Sequence, residues 1–394
     1  MNYILVDLPH IKENLLPLTY FRPTSYLRVG IDTIKEKWEE ILKVKMSCLT
    51  DDYLQEKFPV KYEEDNIFIS SHIIADEKLS GLIKSLEKNQ GIFDSDGIIA
   101  FRGGSLDRSD YENLMPKNTD IKIEQSSQII YPWDIISQNE EQIKKDFERL
   151  FSNKKSEPLS QTNIVIGNHP VFVEKGAKIE AAIINAEKGP VYIGKNALIM
   201  EGSMIRGPFA ILENATLKMG AKIYGGTTIG PQSKVGGEVK NVIIMANSNK
   251  GHDGYLGDSI IAEWCNLGAD TNNSNLKNNY SRVKMWNYPA KDFINTGMQF
   301  CGLVMGDHSK AGIATMFNTG TVVGVSSNIY GGDFQPKLFP SFKWGNKQEM
   351  QDYRFDKALE LAQIVMQRRG VEFDNVEKRL FENIYKLAKQ KESI

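Results

Sequence analysis

Cysteine is scarce in this chain: three in 394 residues, Cys48, Cys265 and Cys301, with no two close together. An odd number at such spacing argues against a disulfide framework or a cysteine-held metal, and for a reducing compartment. Long apolar runs are missing too, so no segment is expected to cross a bilayer. The opening MNYILVDLPHIKEN turns polar and acidic after a few apolar residues and lacks a basic start, so no signal peptide is expected. Net charge is nearly absent, at −2, which excludes the composition of a general nucleic-acid or membrane-surface binder. These absences together predict a cytoplasmic protein without nucleic-acid or membrane partners. What remains, 41% hydrophobic and 25% charged residues, is ordinary for a globular chain with room for two or three domains.

What the sequence does have is a strict period. Every sixth residue from Ile193 onward is aliphatic: Ile193, Ile199, Ile205, Ile211, Leu217, Ile223, Ile229 and Val235. A helix spaces apolar residues by three and four, and a half-buried strand by two. A period of six with Gly, Ala, Ser and Thr between is the mark of a hexapeptide β-helix, in which each hexad gives one short strand and one turn. Three hexads close a coil, so residues 18 apart should stack. The count starts near Ile164, falters around Ala186–Lys188, breaks after Val235, and resumes at Met305, Ala311, Phe317, Val323 and Ile329. The stretch Ser248–Tyr255 reads as a loop excursion, and 270–300, rich in Asn and aromatic residues, as a second one.

Before the β-helix the chain reads as α/β with a mainly parallel sheet. Short apolar runs (Tyr3–Val6, Ile67–Ile69, Ile98–Phe101) alternate with helical patterns such as Leu79, Leu82, Ile83 and Leu86 behind Asp76, and Ile143, Phe147 and Leu150. The polar stretch from Ser152 to Gln161 is the expected linker. After the β-helix come two helical patterns, the second opening on Asp374-Asn-Val-Glu377, a capping box. The expected domains are 1–160, 161–340 and 341–394, the last a short helical tail.

The break after Val235 is the place to look for chemistry, because loops on a rigid solenoid are where sites are built. His252 stands there, and an imidazole can act as a general base near neutral pH. Tyr255 is three residues on, Lys240 lies upstream, and an amide-rich run from Asn266 to Asn275 follows. Together they offer a base, a cation for phosphate and amides for hydroxyl groups. Read alone, a histidine such as His252 is more often a plain surface or packing residue than a base.

At these residues the chain resembles a known family. The element His252-Asp-Gly-Tyr255-Leu-Gly-Asp258, with Asn266-Leu-Gly-Ala-Asp-Thr271 and Asn275 behind it, is similar to the acetyltransferase domain of bacterial GlmU, the bifunctional N-acetylglucosamine-1-phosphate uridyltransferase/glucosamine-1-phosphate acetyltransferase. The resemblance covers about 165–335. It implies a left-handed β-helix, homotrimers with sites between subunits, and acetyl-CoA as cosubstrate. It implies His252 as the base that deprotonates the sugar amine, with Lys240, Tyr255 and Asn275 binding substrate. Gly207-Pro-Phe-Ala210 matches the family, but Ile211 replaces an expected arginine; Lys222, 18 residues before Lys240, is the expected substitute. Asn275-Leu-Lys277 and Gly302–Gly312 resemble archaeal-type relatives. By the same resemblance acetyl-CoA would lie along Gly312, Ile313 and Gly331, with Lys337 at its phosphates, although these glycines also suit simple corner geometry.

The segment Leu16-Pro-Leu-Thr-Tyr-Phe-Arg-Pro23, continuing to Gly30, resembles part of the sugar-phosphate nucleotidyltransferases. The Gly-rich loop that should precede it is absent, Thr24 stands for a lysine, and Ser70-Ser71-His72 replaces the magnesium-binding Gly-Asp. Arg22 and Arg28 are the candidate phosphate cations, Mg²⁺ use is left open, and no metal-ligand set is assigned. Three functions follow. The first is acetylation of an amino-sugar 1-phosphate beside an altered nucleotidyltransferase domain; the second is nucleotidyl transfer as the main activity; the third is a non-catalytic nucleotide-binding scaffold.

Overall fold

The structure is a computed structural model that describes residues 1–392. The chain divides into two compact units: Met1–Arg28 with Asp32–Asp134 and Asn375–Asn383, and Val29–Ile31 with Ile135–Asp374 and the chain from Ile384.

The first unit holds a sheet of β1 (Asn2–Val6), β2 (Ser47–Leu49), β3 (Asn66–Ser70), β4 (Gly91–Asp94), β5 (Gly97–Gly103) and β6 (Ile121–Lys122), ordered β2-β1-β3-β5-β4-β6. Parallel pairing joins β1 to β2 and β3, and β4 to β6. Only β5 runs against its neighbours, pairing antiparallel with β3 and β4, so the mainly parallel expectation holds with one reversed strand. Among the connections are α1 (Pro9–Asn14), α2 (Ile34–Leu42), α3 (Asp52–Gln55), α4 (Glu77–Ser85) and α5 (Arg108–Glu112). The side chain of Asp76 accepts from the amide of Leu79, the N-cap anticipated for α4.

The second unit is a left-handed parallel β-helix of three faces. The first coil supplies Ile164–Ile166, Val171–Val173 and Lys178–Ile179 to the first, second and third face in turn. The predicted period survives intact through Val235. Ile199 pairs with Leu217 and Leu217 with Val235 on the third face, and Ile193, Ile211 and Ile229 stack on the second. All eight hexad residues are buried in one core, where Met305, Ala311, Phe317, Val323 and Ile329 join them. Branched aliphatic side chains suit this place because they fill a narrow prism with little rotamer entropy to lose.

The break after Val235 differs from the expectation. The chain does not leave the solenoid at Ser248–Tyr255. It continues the third face at Asn249–Lys250, with Lys250 beside Val235, so the coil is merely short. The second expected excursion is real. Past Asn272–Asn273 the chain forms an antiparallel hairpin, Lys284–Asn287 against Asp292–Asn295, and rejoins the second face at Leu303–Met305.

The prism turns polar where the count breaks. Lys250 occupies the inner column of the third face at 1% exposure. Asn273 lies in the inner column of the first face, accepting from Gly257 N at 2.8 Å and donating to Gly257 O at 3.0 Å. A buried polar group is tolerable only when its hydrogen bonds are made, and both are provided for.

Helix α6 (Pro132–Phe151) turns Ile143, Phe147 and Phe151 toward Phe172 and Tyr192 on the second face, with Phe151 stacked on both rings at 4.5 and 4.6 Å. Helix α7 (Phe355–Gln367) buries Ala358, Ala362 and Met366, one helical stripe. Its C-terminal end is tied down by Arg369, which donates to Gln232 O and Asn249 Oδ1 at 2.8 and 2.9 Å. Helix α8 (Asn375–Lys391) follows; the ring of its Tyr385 meets Phe342 and Phe355.

Candidate active site

The coil that begins at Tyr255 builds a polar network around a corner. Asn275 Nδ2 donates to Tyr255 Oη at 3.0 Å and to Asp258 Oδ2 at 2.5 Å, while Asn241 Nδ2 donates to Asp258 Oδ1 at 2.8 Å. Asp258 sits at that corner with φ +46° and is buried, which pushes its carboxyl above the usual range against the pull of Asn241, Asn275 and Lys240. Tyr255 is pushed up to about 12, chiefly by burial and then by Asp258, so it keeps its proton and has an O–H to donate. Gly257 makes this arrangement possible. A Cβ there would meet Tyr255 Oη at 2.3 Å and Asn275 Nδ2 at 2.8 Å. Lys240 is exposed beside this group, its Nζ 5.2 Å from the centre of the Phe300 ring.

His252 is exposed at the end of the third face. Its side chain lines a groove of ≈ 690 Å³ on that face, bounded on the other side by α7. Its main chain is held from inside: Lys250 Nζ donates to His252 O at 2.7 Å and Asp253 O at 3.4 Å. Lys250 is pushed down to about 8 by burial, against Asp253 and Asp270. Sequence reasoning missed it. It takes an inner position only because this coil is short, which the hexad count does not foretell.

Tyr255, Asn275 and Lys240 are thus brought together on the first face, and His252 lies three residues away along the chain but around the corner. Lys222 is displaced from its expected place. The register sets Lys222 beside Glu238, and Ile223 beside Val239, because this coil has 16 rather than 18 residues. Lys222 is therefore not the in-register neighbour of Lys240 that an 18-residue coil would make it.

On the later coils, Gly312 donates its N–H to Ile329 O at 2.7 Å, and a Cβ there would stand 3.3 Å from that of Tyr330. Ala311 pairs with Ile329, which puts Gly312 beside Tyr330 and one residue out of step with Gly331, whose φ is +110°. Ile313 projects outward at 74% exposure. Lys337 precedes a second-face strand, donates to Lys284 O at 3.2 Å and lies over the Phe293 ring, so it is held against the hairpin. Burial, then Lys277, holds its ammonium below the usual range.

In the first unit, Arg22 is buried and donates to Leu18 O at 3.2 Å, and Arg28 pairs with Glu36 at 3.5 Å. Neither lines the ≈ 270 Å³ cavity formed by His10, His72, Asp94, Asp96, Gln128 and neighbours. Burial pushes His72 down to about 4. At the place of the expected magnesium aspartate, Ser71 Oγ donates to the buried Asp7 Oδ1 at 2.6 Å. Asp94 accepts from Ser126 Oγ at 2.7 Å and Asp96 from Gln128 Nε2 at 2.6 Å. Among the described residues no three His, Cys, Asp or Glu stand as a metal-ligand group.

A sheet-based domain followed by a hexapeptide β-helix with a His-x-x-Tyr corner defines a class, and comparison with known proteins agrees. Residues 3–155 match the family model described as sugar nucleotidyl transferase. A bifunctional sugar-1-phosphate nucleotidylyltransferase/acetyltransferase of Sulfurisphaera tokodaii is 32% identical over 235 residues, 58% of this chain and 52% of that protein. The uncharacterized acetyltransferase YaiX of Escherichia coli is 28% identical over 45% of this chain and 77% of its own. A bifunctional protein GlmU of Methanocaldococcus jannaschii is 36% identical over 30% of this chain and 26% of its own. The chain therefore spans about half the length of the first of these relatives. Its architecture, a nucleotidyltransferase-like domain followed by a left-handed β-helix, is similar to that of the GlmU-type relatives. No described helix is long and apolar enough to cross a membrane.

Proposed function

We propose that this protein transfers the acetyl group of acetyl-CoA to the amine of an amino-sugar 1-phosphate of the glucosamine-1-phosphate type, with His252 as general base. The observation that carries the reading is the Tyr255–Asn275–Asp258 network on the coil that His252 introduces. In this reaction His252 takes a proton from the amine, and the nitrogen attacks the thioester carbon. A C–N bond forms, the C–S bond breaks, and the CoA sulfur leaves and is protonated. The Tyr255 hydroxyl and the Asn275 amide orient the sugar, and Lys240 faces its phosphate. Lys222, outward on the adjacent first-face strand and two positions out of register with Lys240, serves as a second cation for the phosphate.

The same reading calls for a homotrimer. His252 and Tyr255 stand on either side of a corner, so an acceptor touching both is best enclosed by another subunit. A covered face is favoured by an apolar stripe on the first face, where Ile164, Ile183 and Met204 are neighbours in register and 56%, 39% and 44% exposed. Gly312, Ile313 and Gly331 would then border the CoA channel, with Lys337 at its far end. The deciding assay follows acetyl-CoA consumption with glucosamine 1-phosphate; no consumption with any amino-sugar phosphate would sink the proposal.

Nucleotidyl transfer in the first unit is the second reading, favoured by the family match over residues 3–155. Its test is pyrophosphate release from a nucleoside triphosphate and a sugar 1-phosphate. Activity that persists without both Arg22 and Arg28 would move the site to the His72 cavity.

A further inference from the structure

The groove beside His252 carries more cations than acetyl transfer requires. Lys218 and Lys234, on successive third-face coils, meet Arg368 and Arg369 from the end of α7. No aspartate or glutamate lines the groove, and among the described residues none pairs with Lys218, Lys234 or Arg368 within 4.0 Å. Arg369 is fixed by its bonds to Gln232 O and Asn249 Oδ1, so the cations cannot all swing apart. Their mutual influence is visible on Lys234, held below the ordinary lysine range by burial and then by Arg369, Lys218 and Arg368. Four like charges held together without a counter-charge oppose folding unless something neutralises them.

Away from this end the groove changes character. The outward column continues from Lys234 through Asn249 and Asn266 to Lys310, each beside the next. Three strand spacings make it roughly 14 Å long. Gly236 follows Lys234–Val235, Gly251 follows Lys250 and Gly268 follows Leu267, so one border of this column has no side chains. The trough is therefore phosphate-seeking at one end, and beyond it Asn247, Asn249 and Asn266 face Trp264 and the α7 side chains Leu361 and Val365. Its volume suits a small molecule.

We propose that the groove between the third face and α7 is a binding site for a diphosphate-bearing nucleotide, the diphosphate held by Lys218, Lys234, Arg368 and Arg369. A diphosphate matches the charge, and charge-assisted bonds to several cations are the strong ones. The site does not rest on acetyl transfer, because it is read by binding alone. The occupant is a nucleoside diphosphate, as in a nucleotide sugar; the nucleotide end of CoA, whose phosphates the acetyl-transfer reading places at Lys337, is the competing outcome of the test.

The test measures calorimetric binding of inorganic pyrophosphate, UDP and CoA to the full chain at low salt. Wild type is compared with the double variant Lys218→Gln/Lys234→Gln and with Arg368→Gln on the helix side. UDP should bind at least tenfold more weakly to both variants. The ligand-free double variant should melt no lower than wild type, since it loses repulsion rather than contacts. Loss of UDP binding, with or without loss of CoA, supports the nucleoside diphosphate, whereas loss of CoA alone gives the groove to the acyl donor and overturns the proposal. Affinities unchanged in both variants would place any binding elsewhere on the chain and overturn the proposal, as would no binding of any probe to wild type. His252→Ala separates the two readings: loss of acetylation with nucleotide binding kept leaves the groove standing on its own.

Discussion

The ammonium of Lys250 donates to the main-chain carbonyl of His252 at 2.7 Å from within the prism. On the preceding coils the corresponding inner position is aliphatic: Ile199, Leu217, Val235. A lysine there ties the turn bearing His252 to the solenoid core. Lys250→Met keeps the volume and removes the tie. Acetyl transfer is expected to fall roughly ten- to a hundred-fold with little change in KM, since a displaced catalytic group costs about that much. Circular dichroism should show the fold intact, because an apolar replacement for a buried charge is commonly neutral or stabilising.

The same residue predicts a pH dependence. Burial lowers the folded-state pKa of Lys250 from 10.5 to about 8. Between those values the unfolded chain holds more protons at this position than the folded one, so stability rises with pH. Below about pH 8 the penalty is present in full; above about 10.5 it is gone. The melting temperature of wild type relative to Lys250→Met should climb across that window, by the equivalent of about 3 kcal/mol at most. A flat difference would show that the folded and unfolded states bind this proton equally, so that burial does not lower Lys250.

Gly257 offers a sharper probe of the acceptor pocket. A methyl group there would collide with both Tyr255 Oη and Asn275 Nδ2. Gly257→Ala should break their hydrogen bond and raise KM for the amino-sugar phosphate about tenfold, the worth of a hydrogen bond or two to substrate. An unchanged KM would remove Tyr255 and Asn275 from the substrate site.

The extent to which this fold is legible in the sequence depends on the period. From Ile193 to Val235 the hexads dictate register without help from any other contact, and every aliphatic residue of the series falls in the core. Leu217 shows why: it stands in a dry column between Ile199 and Val235, where only an apolar side chain escapes a desolvation penalty. Where coils shorten, arithmetic fails. Lys222 lands beside Glu238, and Lys250 goes inside although lysine is a surface residue by composition. The tie from Lys250 to the carbonyls of His252 and Asp253 is a three-dimensional event with no periodic signature. The groove under α7 is illegible for a related reason: Arg368 and Lys218 are 150 positions apart, and only the docking of a helix joins them.

The proposed trimer is open to direct test. Lysines at Ile183 and Met204 would put charge on the apolar stripe of the first face without entering the core, as both side chains point outward. Ile183→Lys/Met204→Lys should sediment as a monomer and lose acetyl transfer, while wild type sediments as a trimer. A wild-type monomer at micromolar concentration would count against the shared site.

The assignment of the base is tested by a pair of histidines. His252 is exposed on the groove, next in chain to the turn held by Lys250 and three residues before Tyr255. His308 is buried on a later coil, its ring 6.0 Å from that of Trp264 and its carbonyl accepting from Lys310 Nζ at 2.5 Å. An amine at neutral pH is mostly protonated, so acyl transfer needs a group that removes a proton as the nitrogen attacks. Only a side chain that reaches solvent and substrate can do so. His252→Ala should therefore lower the acetyl-transfer kcat by about two to four orders of magnitude, the usual worth of a positioned acid or base. Melting temperature should be nearly unchanged, because an exposed side chain contributes little to packing. His308→Ala should show the reverse pattern, a lower melting temperature from the lost stacking and a kcat close to wild type among the molecules that remain folded. If His308→Ala abolishes acetylation in folded protein while His252→Ala does not, the base belongs to the later coil, and the pocket has to be rebuilt around Trp264 and Lys310.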